Sequence, residues 1–150
     1  MTVHASGGLG IADALVRLSH LVQHAFADVA RDHDLTPQQL QLVCMLIAEP
    51  LGMTELSRLM HLERSSMTGL VDRVEKRGLV ARVADPADRR ACRVALTEEG
   101  GLLAAGAHGD VVVRLDSMTE RLERDDRDRL ISVVAGMLAE QGLTRPAAQA

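Results

Sequence analysis

The segment 64–76 combines cationic and hydroxyl side chains at a spacing suited to binding a polyanion. Its apolar residues, Met67, Leu70, Val71 and Val74, recur at helical spacing and predict one buried face. The opposite face then presents small polar and cationic groups, which can bind phosphates or reach base edges in a groove. An ordinary solvated helix face has a similar composition, so the pattern alone leaves both interpretations open. The candidate residues on this face are Arg64, Ser65, Ser66, Thr68, Gly69, Arg73 and Lys76.

A second cationic stretch is the turn-forming sequence DPADRR at residues 85–90. Its arginines, Arg89 and Arg90, suit a narrow minor groove, where the negative potential of duplex DNA is enhanced. Asp85 and Asp88 are placed to bind a neighbouring arginine side chain and keep it extended through a charge-assisted hydrogen bond. The alternative is a solvated turn with a local ion pair.

The distribution of charge matters more here than its sum. The chain has a formal net charge of −4, which by itself disfavours a nucleic-acid partner. Residues 51–97 nevertheless contain nine Arg or Lys and six Asp or Glu, a local charge of +3, and the remainder carries −7. Phe26 is the only aromatic residue, which argues against a stacking platform for single strands. A local surface for duplex DNA remains compatible with this composition.

Four helices are predicted in the first half of the chain, and the fourth contains the first cationic stretch. The apolar spacing from residue 11 predicts a long helix that ends near residue 34. Thr36 and Gln39 form the pattern of a capping box at the start of a second helix. Two further helices are predicted over 53–61 and 64–77.

The periodicity changes to two after Gly78, which is placed to end the fourth helix. Residues 79–83 and 92–96 alternate as the strands of a hairpin whose tip is the DPADRR turn. Two more helices follow, over 97–122 and 124–141, and both chain ends are predicted to be loose tails. Two short helices and then a hairpin is the layout of a winged helix-turn-helix.

Three stretches of the sequence resemble the MarR (multiple antibiotic resistance regulator) family of bacterial transcription factors. They are LTPQQLQLV at 35–43, MTELSRLMHLERSSMTGLVDRVEKRGLV at 53–80 and DPADRRACRVALTEEG at 85–100, and the resemblance extends over about residues 10–141. It implies a mainly α fold with a small β-hairpin wing. Residues 1–150 would form a single MarR-type chain. Its parts would be a winged helix-turn-helix lobe at 36–96 and dimerisation helices at 9–34 and 97–141.

The resemblance also implies a function. The expected protein is a sequence-specific, duplex-DNA-binding regulator that binds a pseudo-palindromic operator as a homodimer, typically a repressor released by a small effector. Arg90 of the D-x-R pattern would enter the minor groove, oriented by Asp88, and Arg89 would contact a phosphate. Specificity would reside in Arg64, Ser65, Ser66, Thr68, Gly69 and Arg73.

An effector pocket in this family lies between the dimerisation helices and the DNA-binding lobe. The candidate lining residues are Arg17, His20, His24 and Met45, and the ligand would be a small phenolic or anionic molecule. The three residues of the first helix share one face, so they are equally consistent with a solvated surface or a dimer seam. His20 and His24 have a spacing that can ligate zinc, but no third ligand is identifiable, so we expect no metal and no cofactor.

Other classes of function find little support. The sequence has no nucleophile elbow, phosphate loop or metal motif, so we expect no enzyme. Cys44 and Cys92 are predicted to face the core, and no cysteine precedes them at the position that peroxide-sensing members use. Neither a signal peptide nor a membrane span is indicated, so a cytoplasmic protein is expected. The remaining rival is a protein-interaction module that kept the fold without DNA affinity.

Overall fold

The computed structural model describes residues 8–143, and the predicted tails lie almost wholly outside this range. Within residues 8–143, six helices and three strands follow one another. They are α1 (Ile11–Asp32), α2 (Pro37–Met45), β1 (Leu51–Gly52), α3 (Met53–Met60), α4 (Arg64–Lys76), β2 (Val80–Ala84), β3 (Cys92–Leu96), α5 (Glu98–Ser117) and α6 (Arg124–Glu140).

The start of α2 forms the predicted capping box. The Thr36 hydroxyl accepts a hydrogen bond from the Gln39 backbone N–H at 3.2 Å, and the Gln39 side-chain oxygen accepts one from the Thr36 N–H at 3.1 Å. Two backbone donors that the helix cannot satisfy internally are thereby paired. Gln39 is buried, and α2 lies between α1 and α5 with Leu40, Leu42 and Val43 fully enclosed.

The helices α3 and α4 form the helix-turn-helix. The buried face of α3 consists of Leu56, Leu59 and Met60. His61, which ends the helix, adopts a left-handed conformation with φ of 51°. Leu62 then packs against the core before α4 begins at Arg64. This tight turn sets α4 across the lobe with one apolar face buried.

The hairpin is part of a three-stranded antiparallel sheet in the order β1-β3-β2. Arg82 pairs with Val94 and Ala84 with Cys92 in the hairpin, and Leu51 of β1 pairs with Val94 on the other side of β3. The strand β1 was not predicted, because two residues are too few to reveal an alternating pattern. It connects the loop before α3 to the base of the wing.

The junction between the wing and α5 is unusually close. The Thr97 hydroxyl caps α5 by accepting from the Gly100 N–H at 3.0 Å and donates to the Gly78 carbonyl at 2.6 Å. Gly78 ends α4 with φ of 75°, as the sequence predicts. A Cβ at Gly100 would lie 1.8 Å from the Leu79 carbonyl oxygen, so only glycine fits there. At Gly101 and Gly109 an added Cβ would have nothing within 4 Å. Unlike Gly100, these two glycines of α5 are therefore not required by a close contact within this chain.

The helices α1 and α5 are joined by ion pairs near the end of α1. Arg114 of α5 binds Asp28 at 3.3 Å and Asp32 at 3.2 Å, and His33 Nε2 lies 2.7 Å from Asp110. The helix α5 ends at Ser117, about one turn earlier than predicted. The orientation of α5 relative to α1 is thus fixed by these ion pairs as well as by packing.

Much of the apolar surface of α1, α5 and α6 is exposed in the single chain. Leu18 and Leu21 of α1 are each 47% exposed, and no residue of α6 is buried. The C-terminal end of α6 nevertheless contacts the helix-turn-helix, because Arg58 donates to the Gly142 carbonyl at 3.1 Å and Leu143 packs against the core. No helix within residues 8–143 has the length and apolar character needed to cross a membrane.

Gly100→Ala is expected to lower the free energy of unfolding by at least about 2 kcal/mol, because the added methyl group meets backbone rather than an adaptable side chain. Gly101→Ala is the matched control, and its better helix propensity should raise the free energy of unfolding by up to about 1 kcal/mol. Urea unfolding at one protein concentration measures both. Equal stability of the two variants would contradict the close approach.

Candidate nucleic-acid interface

One face of α4 is buried and the opposite face is exposed, as the sequence predicts. Met67, Leu70, Val71 and Val74 are at most 1% exposed and pack in the core. The opposite face is open to solvent, apart from the half-buried Gly69. The exposed candidates on it are Arg64, Ser65, Ser66, Thr68, Arg73 and Lys76.

Two contacts shape this exposed face. The Thr68 hydroxyl donates to the Arg64 carbonyl at 2.9 Å, so its remaining capacity is as an acceptor. The Arg73 guanidinium lies across Gly69, where a Cβ would come within 3.3 Å of its nitrogen. The absence of a side chain at 69 therefore leaves room for Arg73 along the helix surface.

The wing tip is ordered by backbone hydrogen bonds. The Asp85 N–H donates to the Ala91 carbonyl at 3.1 Å, and the Ala91 N–H donates to the Asp88 carbonyl at 3.1 Å. The Asp88 carboxylate accepts from the Arg90 N–H at 2.9 Å. These bonds shape the turn that exposes Arg89 and Arg90.

The two wing aspartates differ, because Asp85 binds an arginine side chain as expected and Asp88 binds backbone instead. Among the described residues, the Asp88 carboxylate accepts its hydrogen bond from the Arg90 backbone N–H. Asp88 therefore shapes the turn and does not bind the Arg90 guanidinium. The carboxylate that does bind an arginine is Asp85, which lies 3.3 Å from the Arg93 Nε across the hairpin. The Ala87 N–H and then Arg93 lower the pKa of Asp85, so it is ionised at neutral pH.

Sequence reasoning missed a cluster that joins the wing to α4. Arg82 of β2 donates to Asp72 at 2.7 Å and to Glu75 at 2.9 Å, and both carboxylates belong to α4. The hydrogen bond to Asp72 is the main cause that raises the pKa of Arg82 above its ordinary value. One feature of the sequence could have indicated this cluster. The helix α4 contains two acids three residues apart, and the strand that follows it contains an arginine. The strand's direction relative to the helix was needed to interpret it.

Arg77 was also missed, and it connects the C-terminal end of α4 to the loop before α2. Its guanidinium donates to the Asp34 carbonyl and lies 3.5 Å from the side-chain oxygen of Gln39. Asp34 has φ of 56°, which turns the loop between α1 and α2 toward Arg77. The helix α4 is therefore connected to α2 as well as to the wing.

A groove between α1 and α2 has a volume of about 700 Å³. It brings His20 and His24 together with Phe26, Pro37 and Gln41. The other two predicted pocket residues do not line it. Arg17 points to Asp13, with which it forms an exposed ion pair at 3.1 Å, and Met45 packs against the core from the end of α2. No group of three metal-ligating side chains occurs among residues 8–143.

The two cysteines differ, and the prediction for Cys92 was wrong. Burial raises the pKa of Cys44 to about 11, so its thiol is neutral at physiological pH. Cys92 lies on the same face of β3 as the buried Val94 but is exposed. Its position at the outer end of the hairpin, opposite Ala84, lies beyond the reach of the core.

Comparison with known proteins supports this assignment of the fold. The family model described as the MarR family matches residues 33–91, which run from the end of α1 to the wing tip. A solved structure of the transcriptional repressor CouR bound to a 23-mer DNA duplex is 31% identical, covers 91% of this chain and 98% of that chain, and superposes with a TM-score of 0.73. This chain belongs to the MarR family.

Two further relatives of this MarR-family chain are informative. The HTH-type transcriptional regulator YsmB of Bacillus subtilis is 37% identical over 93 residues, which are 60% of this chain and 62% of that regulator, less than two thirds of its length. The structure of NadR in complex with 4-hydroxyphenylacetate is 27% identical, covers 91% of this chain and 95% of that chain, and has a TM-score of 0.72. The mainly helical fold with a winged helix-turn-helix is thus confirmed.

Alkylation should distinguish the two cysteines of this MarR-family chain. N-ethylmaleimide at pH 7.5 is expected to modify the exposed Cys92 much faster than Cys44, since a thiol with a pKa of about 11 is almost wholly protonated. Peptide mass spectrometry over time measures both rates. A Cys92→Ser variant should react only slowly, and rapid modification of Cys44 in it would contradict the burial.

Proposed function

We propose that this chain is a sequence-specific, duplex-DNA-binding transcriptional regulator that binds a pseudo-palindromic operator as a homodimer. The observation that carries the proposal is one exposed surface, made of the polar face of α4 and the arginines at the wing tip. A helix with small hydroxyl groups can enter the major groove, and an arginine-bearing turn can reach the adjacent minor groove. The relative CouR is solved bound to a 23-mer DNA duplex, which supports duplex DNA as the partner of this chain.

The roles proposed for the residues follow their positions. Arg73 and Lys76, near the end of α4, neutralise phosphates, while the first half of the helix reads base edges. Arg90 enters the minor groove and Arg89 contacts the backbone beside it. The base-reading residues are Arg64, Ser65, Ser66 and Thr68, and Gly69 contributes by leaving room for Arg73 beside them.

A second copy of the chain is the partner proposed for the exposed apolar surface. The helices α1, α5 and α6 contain most of the exposed large apolar side chains, and α6 buries none of its residues within its own chain. Exposed apolar patches rimmed by polar residues commonly mark protein–protein interaction sites. The dimerisation helices are therefore assigned to 9–34 and 97–141, and the DNA-binding lobe to 36–96.

The groove between α1 and α2 is the site proposed for an effector. It joins a proposed dimerisation helix to the lobe that holds α4, so a ligand there can bias the spacing of two DNA-binding lobes. His20 and His24 supply polar groups and Phe26 an aromatic wall, which suits a small phenolic or anionic molecule. NadR, with 4-hydroxyphenylacetate, is a relative with a ligand of this class. We propose that binding of the effector releases the protein from DNA, so the protein would act as a repressor.

Selection from a random pool of duplexes tests the proposal directly. We expect the protein to enrich an inverted repeat whose half-site centres lie about one helical turn, or 10 base pairs, apart. Footprinting should cover both half-sites, and size measurement of the complex should give two chains per duplex. If no sequence is enriched, the protein-interaction module becomes the better assignment.

Arg90→Ala is expected to weaken operator binding about tenfold or more, because the loss of a minor-groove arginine removes a favourable contact from each half-site. The dependence of log K on log salt concentration should also become shallower, since fewer counterions are released. Fluorescence anisotropy at several salt concentrations measures both quantities.

Arg121→Ala is the control for this prediction. It removes an exposed arginine from the connection between α5 and α6, remote in the chain from the wing. Its operator affinity should stay within twofold of the unmodified protein. If Arg90→Ala behaves in the same way, the wing assignment is wrong.

A further inference from the structure

The side chain of Arg82 bridges the wing and the recognition helix. Its guanidinium donates to Asp72 at 2.7 Å and to Glu75 at 2.9 Å, and the Arg82 backbone N–H donates to the other Glu75 oxygen at 3.1 Å. Glu75 therefore binds both the side chain and the backbone of one strand residue. The planar guanidinium supplies the fixed directions that such a two-carboxylate contact requires.

Burial indicates that Arg82 acts through its neighbours. Its side chain is 28% exposed, whereas the carboxylate side chains of Asp72 and Glu75 are 50% and 40% exposed. The guanidinium faces α4 and donates from both of its terminal nitrogens to carboxylates of that helix. This distinguishes it from Arg89 and Arg90, which are exposed at the tip.

The cluster lies between the two parts of the proposed DNA surface. Asp72 and Glu75 flank Arg73 on α4, and Arg82 precedes the wing tip by three residues. Farther out, the ion pair between Asp85 and Arg93 connects the two strands at the base of the tip. The wing is thus linked to α4 at its base and braced across the hairpin at its outer end.

We propose that Arg82 is a positioning residue for DNA recognition, which fixes the wing relative to α4 so that the helix and the wing-tip arginine engage DNA together. This inference rests on the proposed function. A hairpin of two five-residue strands is marginally stable alone, so its direction depends on what it contacts. Fixing that direction before binding lowers the ordering cost of placing Arg90 in the groove.

A double-mutant cycle between positions 82 and 90 tests the proposal. In the unmodified background, Arg90→Ala weakens operator binding about tenfold or more. In the Arg82→Gln background, the same change should cost less than about twofold, because the wing no longer presents Arg90 in register. A role of Arg82 in stability alone would leave the cost of Arg90→Ala unchanged, and that result would overturn the proposal.

A second background separates positioning from simple electrostatic repulsion. Asp72→Asn combined with Glu75→Gln keeps Arg82 but removes the two carboxylates that bind it. Positioning predicts that the cost of Arg90→Ala again falls below about twofold in this background. Repulsion of phosphate by uncovered carboxylates instead predicts that Arg90→Ala keeps its full cost once those charges are gone, which would also overturn the proposal.

Arg114→Gln is the matched control, because Arg114 also binds two carboxylates, Asp28 and Asp32, but joins α1 to α5. The cost of Arg90→Ala should be unchanged in this background. Circular dichroism melting and size measurement establish that every variant is folded and dimeric before binding is compared. If the unmodified protein binds no duplex, the proposed function itself fails, whereas normal binding with an additive cycle rejects only the role of Arg82.

Discussion

The carbonyl oxygen of Leu79 is the point on which the arrangement of the lobe depends. It accepts the Thr97 N–H at 3.1 Å and leaves no space for a side chain at Gly100. The end of α4, both long strands and the start of α5 meet there through backbone contact. Because backbone atoms adapt less readily than side chains, the direction of α5 relative to the wing is closely constrained. The wing therefore lies between the recognition helix and a proposed dimerisation helix, connected to each.

The same lobe explains how an acidic chain can present a surface for DNA. Asp72 and Glu75 bind Arg82, and Asp85 binds Arg93. These contacts offset three negative charges near the proposed interface, and exposed cationic side chains remain on α4 and at the wing tip. The net charge of −4 describes the whole chain, while association with a polyanion depends on the local potential.

The apolar faces of α1, α5 and α6 connect this lobe to the proposed dimer. One core contains Leu40, Leu56 and Val94 of the lobe together with Val29 of α1 and Ala104 of α5, whereas α6 has no buried residue. Contact at the two ends of the long helices, through Arg114 and through Arg58, orients those faces within one chain. A change in how two copies pack would therefore alter the separation of their recognition helices.

The sequence by itself determined the features that depend on neighbouring residues. The Thr36 capping box and the Gly78 stop each involve groups a few residues apart, and the faces of α4 follow from its periodicity. Tertiary structure alone decided the pairing of β1 with β3, the exposure of Cys92, the Arg82 cluster and the lining of the groove, which excludes Arg17 and Met45. The physical reason is that these features join segments whose distance and direction are set by packing, and no local spacing encodes that geometry.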